Sequence, residues 1–152
     1  MITNTLKNSS IRTGRSFDLG KMNLRQLWIA YLTYPTIMLY FVLAIASYAV
    51  MVLSCKSLLP IAISIVSVML VYPLVWYCIH RFILHGRFLY RMKWSASLWK
   101  RIHFDHHQDP HLLDVLFGSP LNTIPTIAIV TIPIGYAIGN MAGAAAAFGA
   151  GL

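Results

Sequence analysis

Apolar residues in this chain come in long unbroken runs rather than in alternation. The first run covers Pro35 to Ser54 (PTIMLYFVLAIASYAVMVLS) and the second Leu58 to Ile79 (LLPIAISIVSVMLVYPLVWYCI). About 20 apolar residues suffice for a helix to cross a bilayer core. Each run is therefore expected to be a transmembrane helix. Pro60 suits a helix start, and Pro73 predicts a kink that neighbouring helices can tolerate. Trp76 and Tyr77 mark the exit at the membrane interface. A third span is expected over Leu121 to Ile138, then a tight turn at Gly139-Asn140. A small-residue segment, Met141–Leu152, starts a fourth span but reaches only about 18 Å. The expected fold is all-α: an integral membrane bundle of three full transmembrane helices plus a truncated fourth. Residues 27–152 form its membrane domain, incomplete at the C-terminus. Residues 1–26 form a polar, basic N-terminal arm, leading into an interfacial stretch near Leu24–Leu32.

Composition strengthens this reading. Hydrophobic residues make up 58% and charged residues 11%, with mean hydropathy +0.67, against about 25% charged in soluble domains. The net charge is +8, from 12 Lys and Arg against 4 acids. A basic balance suits nucleic acid or an anionic membrane surface. Here the basic residues flank apolar spans, so the membrane is the expected partner and nucleic acid is not. Lys and Arg concentrate in the arm and in residues 80–120, while the loop between the first two spans holds only Lys56. The positive-inside rule then puts both basic segments in the cytoplasm. Cys55 and Cys78 would lie about 35 Å apart along one helix, so both are read as free thiols.

All six histidines fall within residues 80–120. They are His80 and His85, then His103, His106 and His107, then His111. Spacings of three and four put His103, His106 and His107 on one helical face. His80 and His85 would point about 140° apart on a straight α-helix. Either the helix distorts as it leaves the membrane, or the two reach a cluster from different sides. One histidine alone is usually a hydrogen-bonded structural residue. Five in two tight groups at a membrane mouth point to metal binding. Pro110 disfavours helix at Asp109, which separates His111 from the shared face. The chain has no Glu, which excludes Glu-x-x-His carboxylate sites and the His-Glu-x-x-His zinc motif. Any metal must be held mainly by imidazole, which suits iron, zinc, copper and nickel. The linker Arg87–Ile102 is basic and aromatic and reads as a helix in the interface, an anchor or a guide for lipid.

The strings HRFILH and HFDHHQDPHLLDVLFGSP resemble the fatty acid hydroxylase / sterol desaturase superfamily, over roughly residues 60 to 152. The resemblance implies a membrane oxidoreductase that uses a histidine-held pair of iron ions, molecular oxygen and an external electron donor. It would hydroxylate or desaturate a lipid, with a fatty acyl chain the first choice ahead of sterol and carotenoid. It implies His80, His85, His103, His106 and His107 as metal ligands, with zinc able to occupy the same set. His111 is a further candidate. Asp105 and Asp109 are candidates to accept the outer N–H of a ligating imidazole, although plain solvation accounts for them too. Family members carry another histidine group after a second pair of spans, and no histidine follows His111 here. The sequence is accordingly expected to be the N-terminal part of such an enzyme. The alternatives are a non-enzymatic membrane metal-binding protein, an inactive fragment, or a haem protein with paired histidines. A bacterial inner membrane is the expected location.

Overall fold

The computed structural model of the protein describes residues 21–93, 95–104, 107 and 119–152, and among these residues it is helical with no strand. Helix α1 (Leu24–Leu32) begins at a reciprocal cap. Asn23 Oδ1 accepts from the Gln26 backbone and Gln26 Oε1 from the Asn23 backbone, both at 2.9 Å. This answers two N–H groups that the first turn leaves open. Tyr34 is extended ahead of Pro35, which opens α2 (Pro35–Ser54). Proline fits there because that position needs no N–H donor. A three-residue connection leads to α3 (Leu58–Cys78), which continues through Pro73 and passes into a π-helical turn (Ile79–Leu84). Short helices α4 (Arg87–Arg91) and α5 (Ala96–Trp99) follow, then a second π-helical turn (Lys100–Phe104). Helix α6 (Pro120–Gly151) follows.

Three of these segments are long and apolar enough to cross a membrane: Pro35–Ser54, Leu58–Leu84 and Pro120–Gly151. The molecule is a multi-pass membrane protein. Its surface is apolar and its interior small or polar. Leu53 is 87% exposed, whereas Ser64, Thr131, Ala146 and Ala147 are fully buried. Lipid is as apolar as leucine, so membrane helices associate through close backbone packing and hydrogen bonds instead. Ser47 donates to the Ala145 carbonyl at 2.7 Å, tying α2 to α6. Ile61, Ala142 and Ala146 form the central cluster, with Met51 and Ile65 against it.

Helix α6 is two limbs, not one rod. Gly139 and Asn140 leave helical geometry (Asn140 φ 51°, ψ −139°), and the chain reverses there. Gly151 then lies against Thr131 and Ile127, and Gly143 against Gly135. The turn expected at Gly139-Asn140 is present, and the short limb 141–151 fills the middle of the bundle. Gly139 packs on Pro60 at the start of α3. That end of the bundle lies opposite the one where α3 releases the histidine segments. At the histidine end, the Tyr40 and Thr123 hydroxyls meet in a short contact between the starts of α2 and α6.

Asn140 occupies a positive-φ conformation that glycine adopts freely and other residues adopt at a cost. Asn140→Gly is expected to stabilise the protein by about 1 kcal/mol. Thermal unfolding in detergent would show this, and an unchanged or lower midpoint would contradict the turn geometry.

Helix α3 continues through Pro73 without a break in its residues, and one expectation changes. The linker Arg87–Ile102 is not one helix: it breaks where Met92 turns extended (ψ 125°) and the chain turns to Ser95. The buried Ser95 hydroxyl donates to the Leu89 carbonyl at 2.7 Å and reaches that of Met92 at 3.4 Å. A serine that bonds nearby carbonyls in this way competes with a continuing helix.

A candidate metal centre at the end of the bundle

The first histidine pair is brought together by the π-helical turn. On an α-helix residues five apart diverge, but a π-turn closes its ring between them. The defining bond is present, with the His85 N–H donating to the His80 carbonyl at 3.2 Å. The two Nε2 atoms stand 3.3 Å apart. Distortion of the helix is thus how His80 and His85 come to face one another. Gly86 follows in extended geometry. A Cβ there would meet the Phe88 ring at 2.5 Å, so glycine lets the chain turn immediately after His85.

The second group approaches from α5 and its π-turn. His103 is buried at 4% exposure, and its Nε2 lies 3.2 Å from that of His107. Ring centroids of the two groups are 4.4 Å apart for His85 and His103, and 5.1 Å for His80 and His103. One nitrogen from each of His80, His85, His103 and His107 lies within 4.8 Å of the others. Two nitrogens bound tetrahedrally to one ion at 2.0–2.1 Å would be about 3.3 Å apart. Both close pairs have that separation. The donor set is all imidazole, which suits iron or zinc. His106, His111, Asp105 and Asp109 lie outside the described residues.

Trp99 belongs to the basic, aromatic linker Arg87–Ile102 that the sequence places at the membrane interface. Its indole N–H donates to the Leu84 carbonyl at 2.6 Å. Its ring stands 5.5 Å from His103 and 5.3 Å from Tyr90. The only signal in the sequence was its position four residues before His103, one helical turn away.

The family model described as Fatty acid hydroxylase matches residues 65–151, from the middle of α3 to the end of α6. This covers more than half of the chain and both histidine groups.

The chain belongs to the fatty acid hydroxylase family.

Membership supports a lipid hydroxylase- or desaturase-like function, in a family that typically depends on metal. The histidine cluster of this fatty acid hydroxylase domain provides a place where metal could be held. No curated protein and no solved structure matches the chain.

Proposed function

We propose that this protein is a membrane-bound di-iron oxidoreductase that hydroxylates, or desaturates, a fatty acyl chain. The observation that carries this reading is the convergence of four imidazoles, His80 and His85 at the first π-helical turn, His103 in the second and His107 beyond it, at one end of a spanning bundle. His80, His85, His103 and His107 would hold the metal, joined by His106. His111, Asp105 and Asp109 are candidates for supporting it. With iron bound, such a centre supplies the one-electron and oxygen chemistry that aliphatic C–H bonds require. Hydroxylation consumes one O2, two electrons and two protons per C–H bond and releases one water, so an external electron donor is needed. The protein's own part is to present neutral imidazole nitrogens in fixed positions. Their position at the end of the Leu58–Leu84 span supports an approach by an acyl chain from the bilayer.

The concentration of Lys and Arg on the histidine side supports a cytoplasmic site, and a bacterial inner membrane fits the topology. Zinc fits the same nitrogens, and a non-enzymatic metal-binding protein is the second reading that this donor set favours.

The test is iron-loaded protein in lipid vesicles, given a chemical reductant and 18O2. Mass spectrometry should find one 18O atom in a hydroxylated acyl chain, and His85→Ala should abolish the product. Iron-loaded protein that leaves lipid unoxidised with O2 and reductant present would favour the non-enzymatic reading.

A further inference from the structure

We propose that Trp99 is the positioning residue that locks the two histidine groups into one cluster. The inference rests on the metal-centre reading above and adds a residue that touches neither substrate nor metal.

The two groups come from separate elements. His80 and His85 ride on the π-turn that ends α3, and His103 on the π-turn that follows α5. Short helix α4 lies between them in the chain. Trp99 contacts both. The Leu84 carbonyl lies at the end of the first π-turn, next to His85, where terminal carbonyls lack a partner within the helix. Trp99 Nε1 fills that role at 2.6 Å across 15 residues of sequence. The same indole stands 5.5 Å from the His103 ring, one turn along its own helix. Tyr90 and Phe104 stand at 5.3 and 6.2 Å and limit the ring's freedom. Ser95 anchors the base of α5 through its bond to Leu89. Trp99 thus sets the distance between His85 and His103, whose rings are the closest pair between the two groups at 4.4 Å. Residues that orient metal ligands in this way typically govern affinity by about 10- to 100-fold.

Trp99→Phe keeps an aromatic ring beside His103 and removes the N–H that reaches Leu84. Co(II) titration of the full chain in detergent, followed by its visible absorption, reads the affinity of the folded protein. A purely structural loss would lower the folded fraction and leave that affinity unchanged. The expected result is Co(II) binding about 10-fold weaker or more in Trp99→Phe, with an altered visible spectrum, and no change in Trp76→Phe. Equal affinity and an identical spectrum in wild type and Trp99→Phe would overturn the inference while leaving the metal centre standing. Failure of wild type to take up Co(II) would overturn the metal centre itself and this inference with it. A second variant, Trp28→Phe/Trp76→Phe/Trp94→Phe, leaves Trp99 intact and makes it the sole tryptophan emitter. Its emission should fall as Co(II) binds, and emission that does not respond while Co(II) binds would equally overturn the role.

Discussion

His103→Ala is expected to lower metal affinity by about 100-fold or more, and the lipid oxidation proposed for the site would go with it. The magnitude follows from its place. Outer partners of metal ligands already govern affinity by about 10- to 100-fold, and His103 is itself a proposed ligand. It is the buried member of the set, at 4% exposure, whereas His85 and His107 are exposed. Its ring stands 5.1 Å from His80, 4.4 Å from His85 and 4.7 Å from His107. Its removal therefore takes one donor away and also withdraws the ring against which the others are arranged. The spanning helices do not depend on it, so the variant should insert and fold. Metal content per chain, measured on detergent-purified wild type and variant, checks this. A variant that retains wild-type metal would place the site elsewhere.

The second large effect belongs to the other end of the molecule. Gly143→Val is expected to cost about 3 kcal/mol or more, at the upper end of what overpacking does. A side chain on Gly143 would run into the Gly135 carbonyl and would also meet the Ser64 hydroxyl at 2.8 Å. The reciprocal clash holds for Gly135, whose Cβ would run into the Gly143 carbonyl and meet Ala147 Cβ at 2.5 Å. Neither obstacle is a flexible tip, so the two limbs of α6 would have to part. Gly149→Ala gives the contrast. The nearest atoms to its added methyl are those of the Tyr48 ring, at 3.2 to 3.4 Å, and a small shift of that ring can accommodate it. Thermal unfolding in detergent should rank Gly143→Val far below Gly149→Ala. The Gly143→Val protein that does fold should bind metal with unchanged affinity, because the histidines sit at the opposite end. Equal stability of the two variants would contradict the hairpin packing.

Much of this architecture was legible in the sequence because its causes are local. Spans of Pro35 to Ser54 and Leu58 onward follow from apolar length alone. The reversal at Gly139-Asn140 follows from turn chemistry between two apolar segments. Clustering of His80, His85, His103 and His107 followed from spacing, rarity and position at a membrane mouth. What the sequence left open depends on tertiary contacts. The five-residue spacing of His80 and His85 rules out a straight helix, but a π-turn could not be chosen over approach from two sides without the bond from the His85 N–H to the His80 carbonyl. Apolar periodicity between Phe88 and Ile102 reads as one helix. The break at Met92 to Ser95 depends on a serine hydroxyl that captures the Leu89 carbonyl, an outcome that periodicity does not encode. Trp99 looked like one more interfacial aromatic because its partner, a backbone carbonyl, has no signature in sequence.

The histidine-held iron site is tested most directly by X-ray absorption at the iron edge on wild-type protein purified with iron. A first shell of nitrogen and oxygen at about 2.1 Å with the multiple-scattering pattern of imidazole is expected, from about two irons per chain. A sulfur-dominated shell, or iron bound with no imidazole signature, would contradict it.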